Sequence, residues 1–586
     1  MLFRSVFRAP KVIAATLGYF RDAEVAFVQT PQDFYNLDSY QHRWGKRGRS
    51  VWTEQSLFFR VIQRGKDWWN AAFFCGSCAL IRRSALNEIG GFATGTVTED
   101  LHTSLRIHAR GWRSVYHAEP LAFGIAPESI KPFLSQRVRW GQGAMHVWRS
   151  EGILLHKGLT WGQRLNYFAS VLTYFDGWQK GFMYVAPLVV LVGGLMPMKA
   201  DGMTFLMFFV PYMVMTLWMF EEVARGYGRT LMIEQYNMAR FAAFAWATMA
   251  WFIPPNTFKV TRKGGRAEDG LLRLTSPQAT VLALNVLGLV GGWLIFYLQP
   301  TIPTTALLVC SCWALVNASL ALGVITFTQV TQRNRRNQYR FPVSLPARVK
   351  IGDNVVTGTV DDLSERGLRF YGDIPAEVHR AMPLACALKL PEGEVTMVGE
   401  IRTLERHPQG PGYSRMGLAI RPDDLVRNRI EHFLYGSDLQ WVLHGYTDRV
   451  HTPLSWLWPS AVNGPKDSPF GSTPWISCAA QIGGHGPKKW LLLSASPDRS
   501  RPAYVISHDM LPSDRAICFH PFGRRHNEAF WGVLTRLEVD GPGGTPARVM
   551  TYQLAHAAAP GYSAEEAREA RESGLGDLHE IGRAHV

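Results

Sequence analysis

LTSPQATVLALNVLGLVGGWLIFYLQPTIPTTALLVCSCWALVNASLALGVITFTQVTQ, residues 274–332, contains no Asp, Glu, Lys or Arg. A membrane-crossing helix needs roughly 20 apolar residues, so this run has room for two. Gln299, Pro300 and Pro303 interrupt it, because proline removes an amide that a continuing helix would use. The spacing predicts a helical hairpin over 278–298 and 304–328. Upstream, two more uncharged runs, 181–198 and 202–220, flank Lys199 and Asp201 and predict a second hairpin, for four transmembrane helices in all.

The connection between the hairpins carries Arg225, Arg229, Arg240, Lys259, Arg262, Lys263, Arg266 and Arg273, whereas Lys199 is the one basic residue in the two tight turns. Basic loops stay on the cytoplasmic side, so this connection, residues 1–180 and everything after 332 are expected in the cytoplasm. Two shorter apolar stretches, 165–178 with Asp176 inside it and 241–253 ahead of Pro254 and Pro255, are expected to lie in the membrane interface. A formal net charge of +15 suits a surface that meets anionic lipid and anionic small molecules. Nucleic acid is disfavoured as a partner, since the basic residues flank membrane segments and form no single motif-bearing face. The seven Cys have no zinc-site spacing, and no metal ligands are assigned.

Outside the apolar runs the pattern changes twice. Strand-like stretches at 24–30, 75–81 and 113–117, with a helical stretch at 83–89, predict an α/β sheet. After residue 332, short β-like runs at 347–351, 355–360, 368–371, 388–390, 395–401 and 416–420 alternate with Gly and Pro and predict a small β-barrel, closed by a helix over 424–434. Residues 446–579 read as a β-rich extension, with strand-like pieces at 489–496, 531–539 and 548–554 and a charged helix at 563–572. Cys478, Cys518, His508, His520 and His526 there lack ligand spacing and read as structural.

Six strings carry chemistry: FFCGS at 73–77, TED at 98–100, QRVRW at 136–140, FKVTRK at 258–263, RRNQYR at 335–340 and DLSERG at 362–367. Their order, with membrane segments between the third and fifth, resembles the catalytic subunit of bacterial cellulose synthase, a family 2 processive glycosyltransferase with a C-terminal PilZ domain. VQTPQDF at 28–34 is similar to a family segment near the sugar-nucleotide cleft. The resemblance implies the C-terminal half of a Rossmann-like GT-A domain over 6–160, a membrane region over 161–332 with a gating loop at 256–270, and a PilZ domain over 333–445. It also implies a multi-pass protein of the bacterial inner membrane. The family's nucleotide-sugar half, with its D-x-D ligands for Mg²⁺, is expected ahead of residue 12, and without it the polypeptide is expected to be inactive by itself. MLFRS at 1–5 and EIGRAHV at 580–586 resemble translated sequencing adapters, which fits a truncated reading frame.

Inverting glycosyl transfer needs a base for the acceptor hydroxyl and cations or donors for the departing diphosphate. By resemblance Asp100, which ends TED, is the base beside the acceptor 4-hydroxyl, with Glu99 next to it. Arg139 offers a forked charge-assisted contact and Gln136 a neutral one to UDP-glucose. Trp140 offers a flat face to the growing glucan, and Cys75, Gly76 and Ser77 form the opposite wall. Phe258, Val260, Thr261 and Lys263 match the gating loop. Arg335, Arg336 and Arg340 with Asp362, Ser364 and Gly367 match the cyclic di-GMP motifs of PilZ, where guanidiniums pair phosphates and stack on guanine. Glu128 is expected to tether Arg336 while ligand is absent, or else to cap a helix beginning near Ser129. The family usually has a periplasmic partner subunit. A synthase of another β-glucan fits the same motifs. A non-catalytic cyclic di-GMP receptor in the membrane is the other alternative, but it would need neither TED nor QRVRW.

Overall fold

The computed structural model describes residues 6–8, 12–36, 38–44, 51–196, 202–253, 270–332, 338–372, 374–390, 393–405, 414–436, 475–482, 488–494, 503–507, 511–512, 516–521, 530–537 and 550–557. These fall into two units. The first begins with β1 (Val6–Arg8), α1 (Val12–Leu17), β2 (Val25–Gln29), β3 (Gln32–Phe34), β4 (His42–Trp44), β5 (Val51–Thr53), α2 (Gln63–Trp68), β6 (Ala79–Ile81), α3 (Arg83–Glu88), α4 (Glu99–Ala109), β7 (Arg113–Tyr116) and β8 (Ala122–Gly124). β2 is the centre of a sheet ordered β6-β2-β7, antiparallel to β6 and parallel to β7. All five of its residues are buried, as expected of a strand covered on both faces. Ala26 and Phe27 pack with Ala85 of α3 and Ile107 of α4.

The strand read at 75–81 is shorter in the structure, starting at Ala79. Gly76 and Cys78 have φ of +75° and +60°, a left-handed backbone that a strand cannot contain. The chain there is a loop over the end of β2.

The helical region comprises α5 (Ile130–Glu151), α6 (Trp161–Leu172), α7 (Asp176–Leu191), α8 (Gly202–Val223), α9 (Thr230–Thr248), α10 (Leu271–Leu274), α11 (Ser276–Leu298) and α12 (Thr304–Gln332). α5 stops at Gly152, whose left-handed backbone lets its N–H bond Trp148 O, a glycine C-cap. Thr160 and Gln163 form a capping box that starts α6. Among the described residues three helices, α8, α11 and α12, are long and apolar enough to cross a membrane. Three of the four spans expected from the sequence fall on these helices. The first expected span falls on α7, which has 16 residues and ends at Leu191, before Gly193 and Gly194. At 1.5 Å per residue it reaches about 24 Å, short of the ~30 Å hydrocarbon core.

Tyr184 of α7, Met238 and Ala239 of α9, Val281 of α11 and Leu320, Ala321 and Val324 of α12 form one core. α9 packs on α5, α7 and α12, so Phe241, Phe244 and Ala247 serve protein contacts, while Trp246 is exposed. Asn285 Nδ2 donates to Tyr184 O at 3.0 Å, and Gln278 Nε2 donates to Met238 O at 2.8 Å, which gives these side-chain N–H groups partners inside the bundle.

The second unit contains two barrels. β9 (Phe341–Ile351), β10 (Asn354–Ser364), β11 (Gly367–Gly372), β12 (Pro383–Leu390), β13 (Gly393–Glu405) and β14 (Ser414–Arg421) close in the order β10-β11-β14-β13-β12-β9, and α13 (Asp424–Gly436) follows. β9 starts earlier than the sequence suggests. Phe341, Val343, Leu345, Ala347, Val349 and Ile351 are all buried, a period-2 pattern that Pro342 and Pro346 disguise. Pro342 is opposite Asp362, at a register shift in β10, where a missing amide is tolerated. In the extension, β15 (Trp475–Ile482), β16 (Lys488–Ser494), β17 (Ala503–Ser507), β18 (Ala516–Pro521), β19 (Phe530–Leu537) and β20 (Met550–Ala557) close as β15-β16-β17-β20-β19-β18.

Candidate functional site

Asp100 lies in the first turn of α4. Its Oδ1 accepts from the Leu101 N–H at 2.8 Å, and its backbone O accepts from Ser104 Oγ at 2.8 Å. Oδ2 faces Gly76, where a Cβ would come within 3.1 Å of it. Glycine therefore leaves the carboxylate uncovered and also permits the left-handed turn. Burial is the largest influence on Asp100 and pushes its carboxyl up to about 7, aided by the charge of Glu99 and opposed by the Leu101 N–H and Arg139. A base poised near neutrality is well matched to taking a hydroxyl proton.

The loop that carries Gly76 is held from two sides. Gln29, fully buried at the end of β2, donates from Nε2 to Ser77 O at 2.9 Å and accepts the Cys75 N–H at 3.0 Å. On the other side the Phe74 N–H donates to Ser104 Oγ of α4 at 2.8 Å. The wall and the base are thereby fixed to each other through α4. Gln63 Nε2 donates to Cys75 Sγ at 3.1 Å. Burial, with Asp100 alongside, pushes the Cys75 thiol well above its ordinary value, so Cys75 is a neutral wall residue. Cys75 and Cys78 are spaced C-x-x-C and both are free thiols.

QRVRW divides between two faces of α5. Gln136, Arg139 and Trp140 are half-buried, while Arg137 is buried. Burial lowers the Arg139 guanidinium, and Glu99 and Asp100 act in the opposite sense; TED and QRVRW therefore meet electrostatically. Arg137 turns inward. It pairs with Glu54, which also pairs with Arg240 of α9, and it stacks 4.4 Å from the Trp140 ring centroid. Burial alone would raise Glu54, but the two guanidiniums hold it below its ordinary range. A Cβ on Gly143 would meet Thr98 Cγ2 at 2.4 Å, and one on Gly141 would meet Ala247 Cβ at 2.6 Å. These glycines seat α5 against both TED and α9. His102 of α4 bonds Glu151 at the end of α5 at 2.5 Å, and Arg106 Nε donates to the same carboxylate at 2.9 Å.

Glu128 precedes α5. Ser129 is the N-cap and makes no side-chain cap bond. Burial, and then the charge of Asp38, push the Glu128 carboxyl up to about 7. Among the described residues no three His, Cys, Asp or Glu side chains lie together as a metal cage; the resemblance puts the Mg²⁺ ligands ahead of residue 12. Phe258, Val260, Thr261, Lys263, Arg335 and Arg336 lie outside the described residues.

In the second unit Arg340, Asp362, Ser364 and Gly367 come together. Arg340 Nη1 donates to Asp362 Oδ1 at 3.0 Å, and a Cβ on Gly367 would come within 2.9 Å of Arg340 Nη2. Ser364 Oγ donates to Gly367 O at 2.9 Å. Arg369, absent from the sequence reading, holds the other Asp362 oxygen at 3.2 Å. The string DLSERGLR contains that pairing already. A two-residue turn places Ser364 opposite Gly367, Leu363 opposite Leu368 and Asp362 opposite Arg369. Gln29 lies within VQTPQDF, but its bonds to the 75–77 loop, and the part played by Glu54, depend on partners distant in sequence.

Residues 9–253 match the family described as Glycosyl transferase family group 2, and residues 334–436 match the PilZ domain family. The chain is 33% identical over 378 residues to cellulose synthase 1 of Komagataeibacter xylinus, covering 63% of this chain and 24% of the relative. It is 32% identical over 372 residues to the cellulose synthase catalytic subunit (UDP-forming) of Pseudomonas fluorescens (strain SBW25), covering 61% of this chain and 49% of the relative. The chain thus spans half or less of the length of these relatives. Among solved structures, the PilZ domain of CeSA from a cellulose-synthesizing bacterium matches at 24% identity and a TM-score of 0.14, over 17% of this chain and 95% of that one.

Proposed function

We propose that this chain, which carries a glycosyl transferase family 2 domain and a PilZ domain, works in a UDP-forming cellulose synthase switched by cyclic di-GMP. The observation that carries the reading is Asp100: a half-buried carboxyl near neutrality, left uncovered by Gly76 and facing the charge of Arg139. Asp100 takes the proton of the acceptor 4-hydroxyl as that oxygen bonds to the anomeric carbon of UDP-glucose. The bond to UDP breaks on the opposite side, which inverts the centre. Arg139 and Gln136 stabilise the charge that develops on the diphosphate. The exposed part of Trp140 carries the glucan end.

α8, α11 and α12, long and apolar enough to cross a membrane, support an assignment to the bacterial inner membrane with both domains cytoplasmic, in keeping with the basic connection between the helices. Cyclic di-GMP is assigned to Arg340, Asp362, Ser364 and Gly367, with Arg335 and Arg336. Residues 256–270, including Phe258, Val260, Thr261 and Lys263, are assigned as the gating loop. Glu128, a carboxylate crowded by Asp38, is a fitting tether for a guanidinium such as that of Arg336. A periplasmic subunit is the expected partner for the exported glucan.

Asp100→Asn tests the central assignment. Incorporation of UDP-glucose into glucan by membranes carrying the protein should fall by about 10² or more, the usual loss on removing a general base. Retention of activity within about threefold of the unmodified protein would remove Asp100 from that role.

A further inference from the structure

Residues 475–557 do not belong to either matched domain, yet their strand order is informative. Counting the strands of each barrel from one to six along the chain, the first closes one-two-three-six-five-four. The second, β15-β16-β17-β20-β19-β18, closes in the same order. Successive hairpins alone would give one to six in sequence. The shared jump from the third strand to the sixth, with every neighbour antiparallel in both rings, marks one topology used twice. The second interior is apolar and filled, with Ala480, Val505, Ile517, Phe519, Val533, Leu534 and Leu554 buried.

The second copy lacks the ligand chemistry of the first. In the first barrel Arg340 immediately precedes strand one, and a two-residue turn between strands two and three presents Asp362, Ser364 and Gly367. In the second, no Arg occurs at 450–498, and β16 and β17 contain neither Asp nor Glu. The tight turn is replaced by the longer connection at 495–502. That connection carries Asp498, Arg499, Ser500 and Arg501, but Ala503 takes the place that Gly367 has in the first motif, and no arginine occurs in residues 450–474 ahead of strand one, so the arginine that pairs with Asp362 has no counterpart there.

β15 and β16 pack against β9, and β15 also packs against β10. Those are the two strands whose ends carry Arg340 and Asp362. We propose that residues 475–557 are a second barrel of the PilZ topology, without a cyclic di-GMP site, that docks on β9 and β10 as an internal partner of the sensing barrel. The ligand half of this statement rests on the cyclic di-GMP assignment above; the docking half does not.

Hydrogen exchange and ligand titration on the detergent-solubilised full chain separate the two halves. In a chain ended after Gly436, amide exchange in β9 and β10 should rise at least about threefold, because a docked neighbour suppresses local opening. β13, across the ring, should be unchanged, which shows that the first barrel still folds. Unchanged exchange in β9 and β10 would overturn the docking. With fluorescent cyclic di-GMP, Asp362→Ala should weaken all binding at least about tenfold and leave no residual tight class. A tight class that survives Asp362→Ala in the full chain but vanishes in the shortened one would make the second barrel a receptor and overturn the proposal. No binding to the unmodified chain would overturn the cyclic di-GMP assignment instead, and the exchange measurement would decide the docking by itself.

Discussion

Gly143→Ala adds one methyl group to α5, three residues after Trp140. Its Cβ would sit 2.4 Å from Thr98 Cγ2, 2.5 Å from Thr98 Oγ1 and 2.9 Å from Thr98 Cβ. Ordinary contact begins near 3.4 Å, so Thr98 and α5 must separate by about 1 Å, and Thr98, being β-branched, has little rotamer freedom with which to evade it. Overpacking costs about 1–3 kcal/mol, whereas alanine regains about 1 kcal/mol of helix propensity over glycine. The net loss of stability is then roughly 0–2 kcal/mol, and the protein remains folded. Catalysis is more sensitive, since Thr98 is two residues from Asp100 and a misplacement of about 1 Å can cost ~10²-fold in rate. Glucan synthesis from radiolabelled UDP-glucose by membranes carrying Gly143→Ala should therefore fall by one to two orders of magnitude, about 10- to 100-fold, with cyclic di-GMP binding unchanged. Thr98 Oγ1 makes no hydrogen bond, so Thr98→Ala alone should be mild, and the double variant should recover part of the loss. Full activity in Gly143→Ala, or no recovery in the double variant, would refute the claim that this contact positions the base.

The raised Asp100 carboxyl sets a pH profile: its base form grows with pH, so kcat/KM should climb through about pH 7 and flatten above it. A carboxyl raised on folding also makes the folded state less stable as pH increases past its unfolded value, so Asp100→Asn should be at least as stable as the parent at pH 8, measured by thermal unfolding. In the sensing barrel, Arg369→Ala should weaken cyclic di-GMP binding several-fold by releasing one oxygen of Asp362, and calorimetry that shows unchanged affinity would remove Arg369 from the site. Glu128→Gln should raise synthesis without cyclic di-GMP by a few-fold at most, because an ion pair at a partly exposed position contributes about 0–1 kcal/mol; unchanged basal activity would remove the tether.

What could be read from the chain followed from how local its physics was. The barrel motif was legible because a two-residue turn fixes register, so six consecutive residues carry most of the site. α11 and α12 were legible because membrane crossing is decided by length and apolarity alone. α7 stops short of the expected 181–198 where a local break outweighs composition: Val189 to Leu195 is apolar, but Gly193 and Gly194, with φ of +64° at Gly194, end the helix. The loop at 75–78 was misread as strand for a related reason, since nothing in the letters announces that Cys78 takes a positive φ. The second barrel was visible only as scattered strands, because its connections are long and its ring order is a property of pairing between distant segments.

The two arginines of QRVRW show how one string can serve two purposes. A helix turns by 100° per residue, so Arg137 and Arg139 cannot share a direction. Arg139 looks toward the charges of Glu99 and Asp100, while Arg137 looks inward to Glu54 and, through it, to Arg240 of α9. Burying such a triad has a large desolvation cost, and removing one member leaves an uncompensated charge. The group is therefore a poor choice for stability alone but a rigid link between α5 and the helical bundle. Gly141 lets the same two helices approach to contact distance, and Gly143 does so for α5 and TED. The helix that offers Gln136, Arg139 and Trp140 to the site is thus registered on one side to the base and on the other to α9, which packs directly on the membrane helix α12. Losing Arg137 should consequently disturb the site as well as the fold, with a KM effect that restoring charge by Arg137→Lys only partly reverses, since a lysine cannot reproduce the forked contact with Glu54.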